Sequence, residues 1–262
     1  MMAHVRLHVH EFGPGAGRTV VALHGVTGSA LVFRRLAQRM PSFRLVAPDL
    51  RGHGGSGKEP PWDLSTHLRD LRETLNALGI SRSPVIGYSF GGRLATELLA
   101  ADPSRVERLI LLDPALQMEP QAVTAISDRL LVDASYASAE EAIAARVGTG
   151  VAPHAPREHW DLWAEELVES PDGRFRLPFS RPAAITIYSE LATPPPLFET
   201  LRVPTLLIAG DGSQLVTPRQ IERYRYDLGD FLEVRIVHAT HQLIGDAADD
   251  VAAAILGFLT AS

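Results

Sequence analysis

The sequence predicts an α/β protein built on a mostly parallel, doubly wound sheet, and three observations predict it. Short apolar runs of strand length alternate with helix-period stretches along most of the 262 residues. The runs after the first are continuously apolar, as strands covered on both faces must be. No internal repeat or low-complexity segment interrupts this order.

The elements follow in turn. Residues 4–10 alternate, with Val5, Leu7 and Val9 on one face, and read as an antiparallel edge strand. Strands are then expected at 19–23, 44–47, 84–86 and 108–112, with helices at 30–38, 64–77 and 92–101 between them. From 115 to 201 no strand run is visible and the period is helical throughout. Ser138-Ala139-Glu140-Glu141 forms a capping box ahead of an Ala-rich run, and Pro156 precedes Trp160 and Trp163 at i, i+3 spacing. Pro194-Pro195-Pro196 leads back to strands at 205–209 and 234–237, with helices at 218–226 and 248–259. The reading is one core, residues 1–114 and 202–262, carrying a helical insertion at 115–201.

Composition narrows the function. The chain is 45% hydrophobic, enough for a sizeable core, yet its apolar stretches fall far short of the ~20 residues that a membrane-spanning helix needs. The first residues, Met1 to Arg6, lack the apolar core of a secretory signal, so a cytoplasmic protein is expected. There are no cysteines, which excludes disulfides, thiolate catalysis and cysteine-ligated metals. A net charge of −6 argues against nucleic acid or an anionic membrane as partner. Lys58 is the sole lysine, so Schiff-base chemistry would rest on it alone. Ser, His and carboxylates are left to carry chemistry.

Two glycine patterns mislead. Gly52-His53-Gly54-Gly55-Ser56-Gly57-Lys58-Glu59 matches a dinucleotide fingerprint and nearly matches a phosphate loop. Both motifs need a helix to start at once, whereas Pro60-Pro61 follows, and Glu59 would repel phosphate. A third pattern is stronger. Gly87-Tyr88-Ser89-Phe90-Gly91 follows a strand and opens a helix, the setting of a nucleophile elbow that exposes a serine hydroxyl above a sheet. By composition a G-x-S-x-G match is expected only ~0.1 times in a chain of this size.

With His24-Gly25-Val26-Thr27-Gly28-Ser29 and Asp49-Leu50-Arg51-Gly52-His53-Gly54-Gly55-Ser56, this elbow resembles the α/β-hydrolase family over essentially the whole chain. The resemblance implies a helical cap at 115–201, between the family's sixth and seventh strands, and a serine esterase or lipase-like activity. It also implies chain order nucleophile, acid, histidine. Ser89 is then the nucleophile. His241, in Thr240-His241-Gln242-Leu243 after the last strand, is the expected base in preference to His238. The family places its acid three residues beyond the glycine that ends the 205–209 strand, but Ser213 occupies that position. Asp113, at the end of the 108–112 strand where some relatives keep their acid, is favoured over Asp211. Backbone N–H groups of Val26 and Phe90 are the expected oxyanion donors.

The expected reaction is hydrolysis of small or medium, uncharged, fairly apolar carboxylic esters through an acyl-enzyme, with no metal or organic cofactor. Met118, Trp160 and Trp163, with Phe175, Phe179 and Tyr188, are candidates to line the substrate pocket. Two alternatives stay open. A lyase or carbon–carbon hydrolase, similar to the menaquinone-pathway synthase of this fold, would need inward-facing arginines such as Arg93, Arg129 or Arg181. A non-catalytic small-molecule receptor would suit the displaced acid. Residues 115–201 carry a net −7, leaving +1 for the rest, so a strongly anionic substrate would meet a negative lid.

Overall fold

The computed structural model describes residues 6–198 and 202–261. The expected strand start at His4 and Val5 lies outside the described residues, as does the end of the insertion at Leu201. The chain first forms β1 (Val9–Phe12) and β2 (Arg18–Leu23), then α1 (Arg34–Gln38), β3 (Phe43–Pro48) and α2 (Leu64–Ala77). It continues through β4 (Ser83–Tyr88), α3 (Phe90–Ala101) and β5 (Val106–Leu112). Asp63 opens α2 by accepting the Thr66 N–H at 2.9 Å, so one of the helix's orphan donors is satisfied just after the Pro60-Pro61 break.

The seven strands of the main sheet run in the order β1-β3-β2-β4-β5-β8-β9, with β8 (Thr205–Gly210) and β9 (Leu232–Val237) on the far edge. β1 pairs antiparallel with β3 alone, and every other pairing is parallel. The pleat explains the continuous apolar runs. Val21, Leu23, Val85, Leu109, Leu111 and Leu207 face one helical layer, while Val20, Ala22, Ile86, Ile110, Leu112 and Leu206 face the other. From β2 the chain steps outward to β3, then returns to place β4 on the other side of β2. The loops leaving β2 and β4 therefore diverge, opening a crevice at the carboxyl ends of the central strands.

The segment after β5 contains α4 (Pro120–Leu131), α5 (Ala139–Gly148), α6 (Arg157–Ala164) and α7 (Arg181–Glu190). It leaves the fifth strand of the sheet and returns to the sixth, one strand earlier than the expected count, because the described sheet has seven strands. It is also not wholly helical. A hairpin of β6 (Val168–Glu169) and β7 (Phe175–Arg176) interrupts it. Gly173 takes φ +73° there, and Asp172 accepts the Arg174 N–H at 3.1 Å. Strands of two residues are too short to leave a periodic trace.

The chain ends in α8 (Pro218–Leu228), which precedes β9, then α9 (Leu243–Asp246) and α10 (Ala248–Thr260). The glycine loop at 52–58 binds itself, with the Gly52 N–H on the Gly57 carbonyl at 2.8 Å and the Gly55 N–H on the Asp49 carboxylate at 2.9 Å. Lys58 Nζ donates to the Gly54 carbonyl at 2.7 Å. Behind this loop Arg51 and Asp70 form a fully buried two-pronged ion pair, 2.6 and 2.9 Å, joining the β3–α2 loop to α2.

Candidate active site

Ser89 sits between β4 and α3 at φ +55°, ψ −119°, a conformation that costs a non-glycine residue of order 1–3 kcal/mol. Packing imposes it. The Ser89 N–H bonds to the Leu112 carbonyl on β5 at 3.1 Å, and the Ser89 carbonyl accepts from Gly92 and Ala115 at 2.9 and 3.0 Å. The flanking glycines allow the close approach: a Cβ on Gly91 would lie 2.0 Å from the Leu23 carbonyl oxygen, and one on Gly87 2.4 Å from that of Gly91. Phe90 begins α3, so its N–H belongs to the helix's orphan donors.

The loop carrying Val26 is held by two buried histidines. His24 Nε2 accepts the Leu50 N–H at 2.9 Å while its Nδ1 bonds the Gly25 carbonyl at 2.8 Å, which defines one neutral tautomer. His53 Nε2 lies 2.6 Å from the Val26 carbonyl. Burial pushes both imidazoles down, His53 to about 3, so both are uncharged scaffolding at neutral pH.

His241 follows β9. Its Nδ1 lies 2.6 Å from Asp113 Oδ2, and Asp113 is completely buried at the end of β5, itself at φ +39°. Ser213, which replaces the usual acid, donates its hydroxyl to the same Oδ2 at 2.6 Å. Asp211 is turned outward instead, with its Oδ2 2.9 Å from Nδ1 of the exposed His238. The Tyr88 hydroxyl donates to the His241 carbonyl at 3.0 Å and so ties the elbow to the histidine loop.

Ser89 and His241 face two cavities, which also share Tyr188 and Gln242. One, of about 340 Å³, is largely apolar, with Met118, Ile126, Val151 and Leu215 in its wall. The other, of about 280 Å³, opens past Val26 and Trp163 and carries Arg35, Arg146, His159 and Glu166. Of the residues expected around the substrate, Met118 lines the first cavity and Trp163 the second, while Tyr188 borders both. Trp160 borders neither: it is buried, edge-on to Trp163 with ring centres 6.1 Å apart. The Phe90 side chain also points away, fully buried and 5.5 Å from the His67 ring, so only its backbone faces the elbow. Phe179 packs 6.1 Å from His53, and Phe175 belongs to the hairpin.

Among the described residues one group has the donors to hold a divalent ion. His8 and His10, on one face by the strand period, both lie within hydrogen-bond range of Asp49 Oδ2, at 3.1 and 3.2 Å. Asp49 already accepts the Ala30 and Gly55 N–H groups at 2.8 and 2.9 Å.

Residues 18–248 match the α/β hydrolase fold family. The chain is an α/β hydrolase. Lipase LipV of Mycobacterium tuberculosis is 36% identical over 188 residues, 72% of each protein. The 2-(acetamidomethylene)succinate hydrolase of Mesorhizobium japonicum is 25% identical over 264 residues, covering 98% of this chain and 92% of the relative. Among solved structures, E-2-(acetamidomethylene)succinate hydrolase superposes with a TM-score of 0.88 at 24% identity, over 98% of this chain and 96% of that one. Among the described residues no helix is long and apolar enough to cross a membrane.

Several residues of this hydrolase's cavity left no sequence signal. Glu166 is the clearest, a buried carboxyl on the inserted segment that accepts the Ser29 hydroxyl at 2.7 Å. Burial pushes it up from an ordinary value near 4.5 to about 7. The folded state therefore keeps a proton that the unfolded chain loses, so Glu166 costs stability as pH rises from about 4.5 to 7. Glu166→Gln removes that cost. Denaturant unfolding at pH 4 and pH 8 should show the variant gaining roughly 3 kcal/mol on the wild type across that range. An equal difference at both pH values would refute it.

Proposed function

We propose that this protein is a serine hydrolase that cleaves carboxylic esters through an acyl-enzyme. One observation carries the reading. Ser89, on a strained strand-to-helix turn, shares a cavity with His241, whose Nδ1 is bound by the buried Asp113 carboxylate at 2.6 Å. In this mechanism Ser89 Oγ attacks the ester carbonyl while His241 Nε2 takes its proton, then delivers it to the leaving alkoxide oxygen. Asp113 holds the Nδ1–H tautomer and stabilises the imidazolium. The N–H groups of Val26 and Phe90 receive the developing oxyanion, each worth about 3 kcal/mol in the transition state. Water, activated by the same imidazole, attacks the acyl-enzyme, and the proton returns to Ser89 as the acid departs.

Residues 115–201 act as a cap on the core of 1–114 and 202–262, because Met118, Arg146, Trp163, Glu166 and Tyr188 close the two cavities from above Ser89. The Met118 lobe suits the apolar part of a small or medium ester. The lipase relative supports ester cleavage, and the presence of both Ser89 and His241 in one cavity speaks against a non-catalytic receptor. Of the three arginines named for the lyase reading none lines either cavity: Arg93 is spent on the Leu116, Thr193 and Pro194 carbonyls at 2.7, 2.9 and 2.8 Å, Arg129 is exposed on α4, and Arg181 bonds the Leu131 carbonyl at 3.2 Å. Labelling with a fluorophosphonate tests the proposal. One adduct per chain on the Ser89 peptide is expected, with matching loss of p-nitrophenyl butyrate hydrolysis. No adduct and no turnover would end it.

A further inference from the structure

The second cavity holds more positive charge than cleavage of a neutral ester requires. Arg35, on α1, is buried, and its guanidinium donates to the Ile244 and Gly245 carbonyls at 2.9 and 2.6 Å. Its Nε–H is buried without any partner, and among the described residues no carboxylate lies within ion-pair distance of it. Arg146 enters the same cavity from α5, half-buried, and among the described residues it has neither an ion pair nor a side-chain hydrogen bond. Buried or half-buried guanidinium groups ordinarily meet a carboxylate. Here two of them meet none, within a cavity that also contains Ser89 and His241.

The opposing groups do not cancel them. His159, in the same lining, is pushed down to about 4 by burial and by Arg35, so it is neutral. Among the described residues Glu166 is the one carboxyl in this wall; it is bound by the Ser29 hydroxyl, and its charged form is disfavoured by burial. The lining therefore carries net positive charge, although Glu158 and Asp249, outside it, also act on Arg35 and residues 115–201 as a whole are acidic.

We propose that the Arg35–Arg146 cavity is a carboxylate subsite, and that the substrates are esters carrying a carboxylate on one side and an apolar group on the other. The apolar group lies in the Met118 lobe, and the carboxylate completes the two guanidinium groups. This rests on the serine esterase reading of the same cavity, and it replaces an uncharged substrate with a monoanionic one.

Two matched ester pairs test it on either side of the scissile bond: mono-p-nitrophenyl adipate against p-nitrophenyl hexanoate, and 4-carboxyphenyl butyrate against phenyl butyrate. In one pair the anion is expected to be favoured about tenfold or more in kcat/KM, and the preference should shrink with added salt. Arg146→Gln, on the half-exposed side, should collapse that ratio, as should Arg35→Gln if it folds. Equal or better turnover of the neutral ester in both pairs overturns the subsite and leaves the esterase reading standing. If no ester is turned over, the esterase reading falls, and calorimetric titration of adipate decides the subsite alone. Binding by wild type that Arg146→Gln abolishes supports it, and no binding overturns it.

Discussion

Ser89→Ala is expected to lower kcat/KM for a p-nitrophenyl ester by about 10⁵-fold or more, the scale of loss when a hydrolase nucleophile is deleted. The loss should fall on kcat, since the hydroxyl contributes to bond formation and little to ground-state binding. What remains would come from the Val26 and Phe90 amides, which the substitution leaves in place. Stability separates this from a structural effect. Ser89 holds φ +55° whatever its side chain, because its N–H and carbonyl are bonded to Leu112, Gly92 and Ala115. Alanine keeps that strain, and its unfolding midpoint should stay close to wild type. Ser89→Gly relieves it and should gain about 1 kcal/mol while remaining inactive. A Ser89→Ala protein that retains activity would rule out covalent catalysis by this residue.

Much of the fold is legible in the sequence because burial on both sheet faces leaves continuous apolar runs, and β2, β4, β5 and β8 fall where those runs lie. The elbow is legible because close packing demands glycine at 87 and 91, and close packing is a local requirement. The hairpin at 168–176 is not, since it is held by turn chemistry over two-residue strands. Trp160 and Trp163 share one helical spacing, yet one is buried and the other meets the cavity. Periodicity reports that a face is covered, not by what. Arg35 and Arg146 were equally hidden, because an arginine on an amphipathic helix reads as solvated until the fold puts a wall over it. The edge-strand alternation did place His8 and His10 together, but Asp49 joins them through the antiparallel pairing of β1 with β3, its N–H on the His8 carbonyl at 2.8 Å, which no local pattern announces.

The displaced acid gives the second large effect. β5 and β8 are neighbours in the sheet, so the residues just beyond their ends converge on one imidazole from two strands. Asp113 takes the His241 Nδ1–H at 2.6 Å, and Ser213, arriving from the β8 side, donates to the same oxygen. Asp113→Asn should therefore cost about 10⁴-fold in kcat, because the amide can present its N–H to Nδ1 and stabilise the wrong tautomer. Asp211→Asn should stay within about twofold of wild type, since that carboxylate is turned to the exposed His238 and the Ala239 N–H and away from His241. Ser213→Ala removes one charge-assisted hydrogen bond from a carboxylate whose Oδ1 is already unpartnered, and a loss of about 10-fold is expected. The double variant Asp113→Asn/Ser213→Asp carries the argument furthest. It returns a carboxylate to the β8 side, within reach of the same Nδ1, and should recover at least about 10-fold of what Asp113→Asn loses. Steady-state kinetics on the four proteins decide the matter. If Asp211→Asn proves the costlier single substitution, the acid acts from β8, and the buried Asp113 contact only shapes the His241 loop.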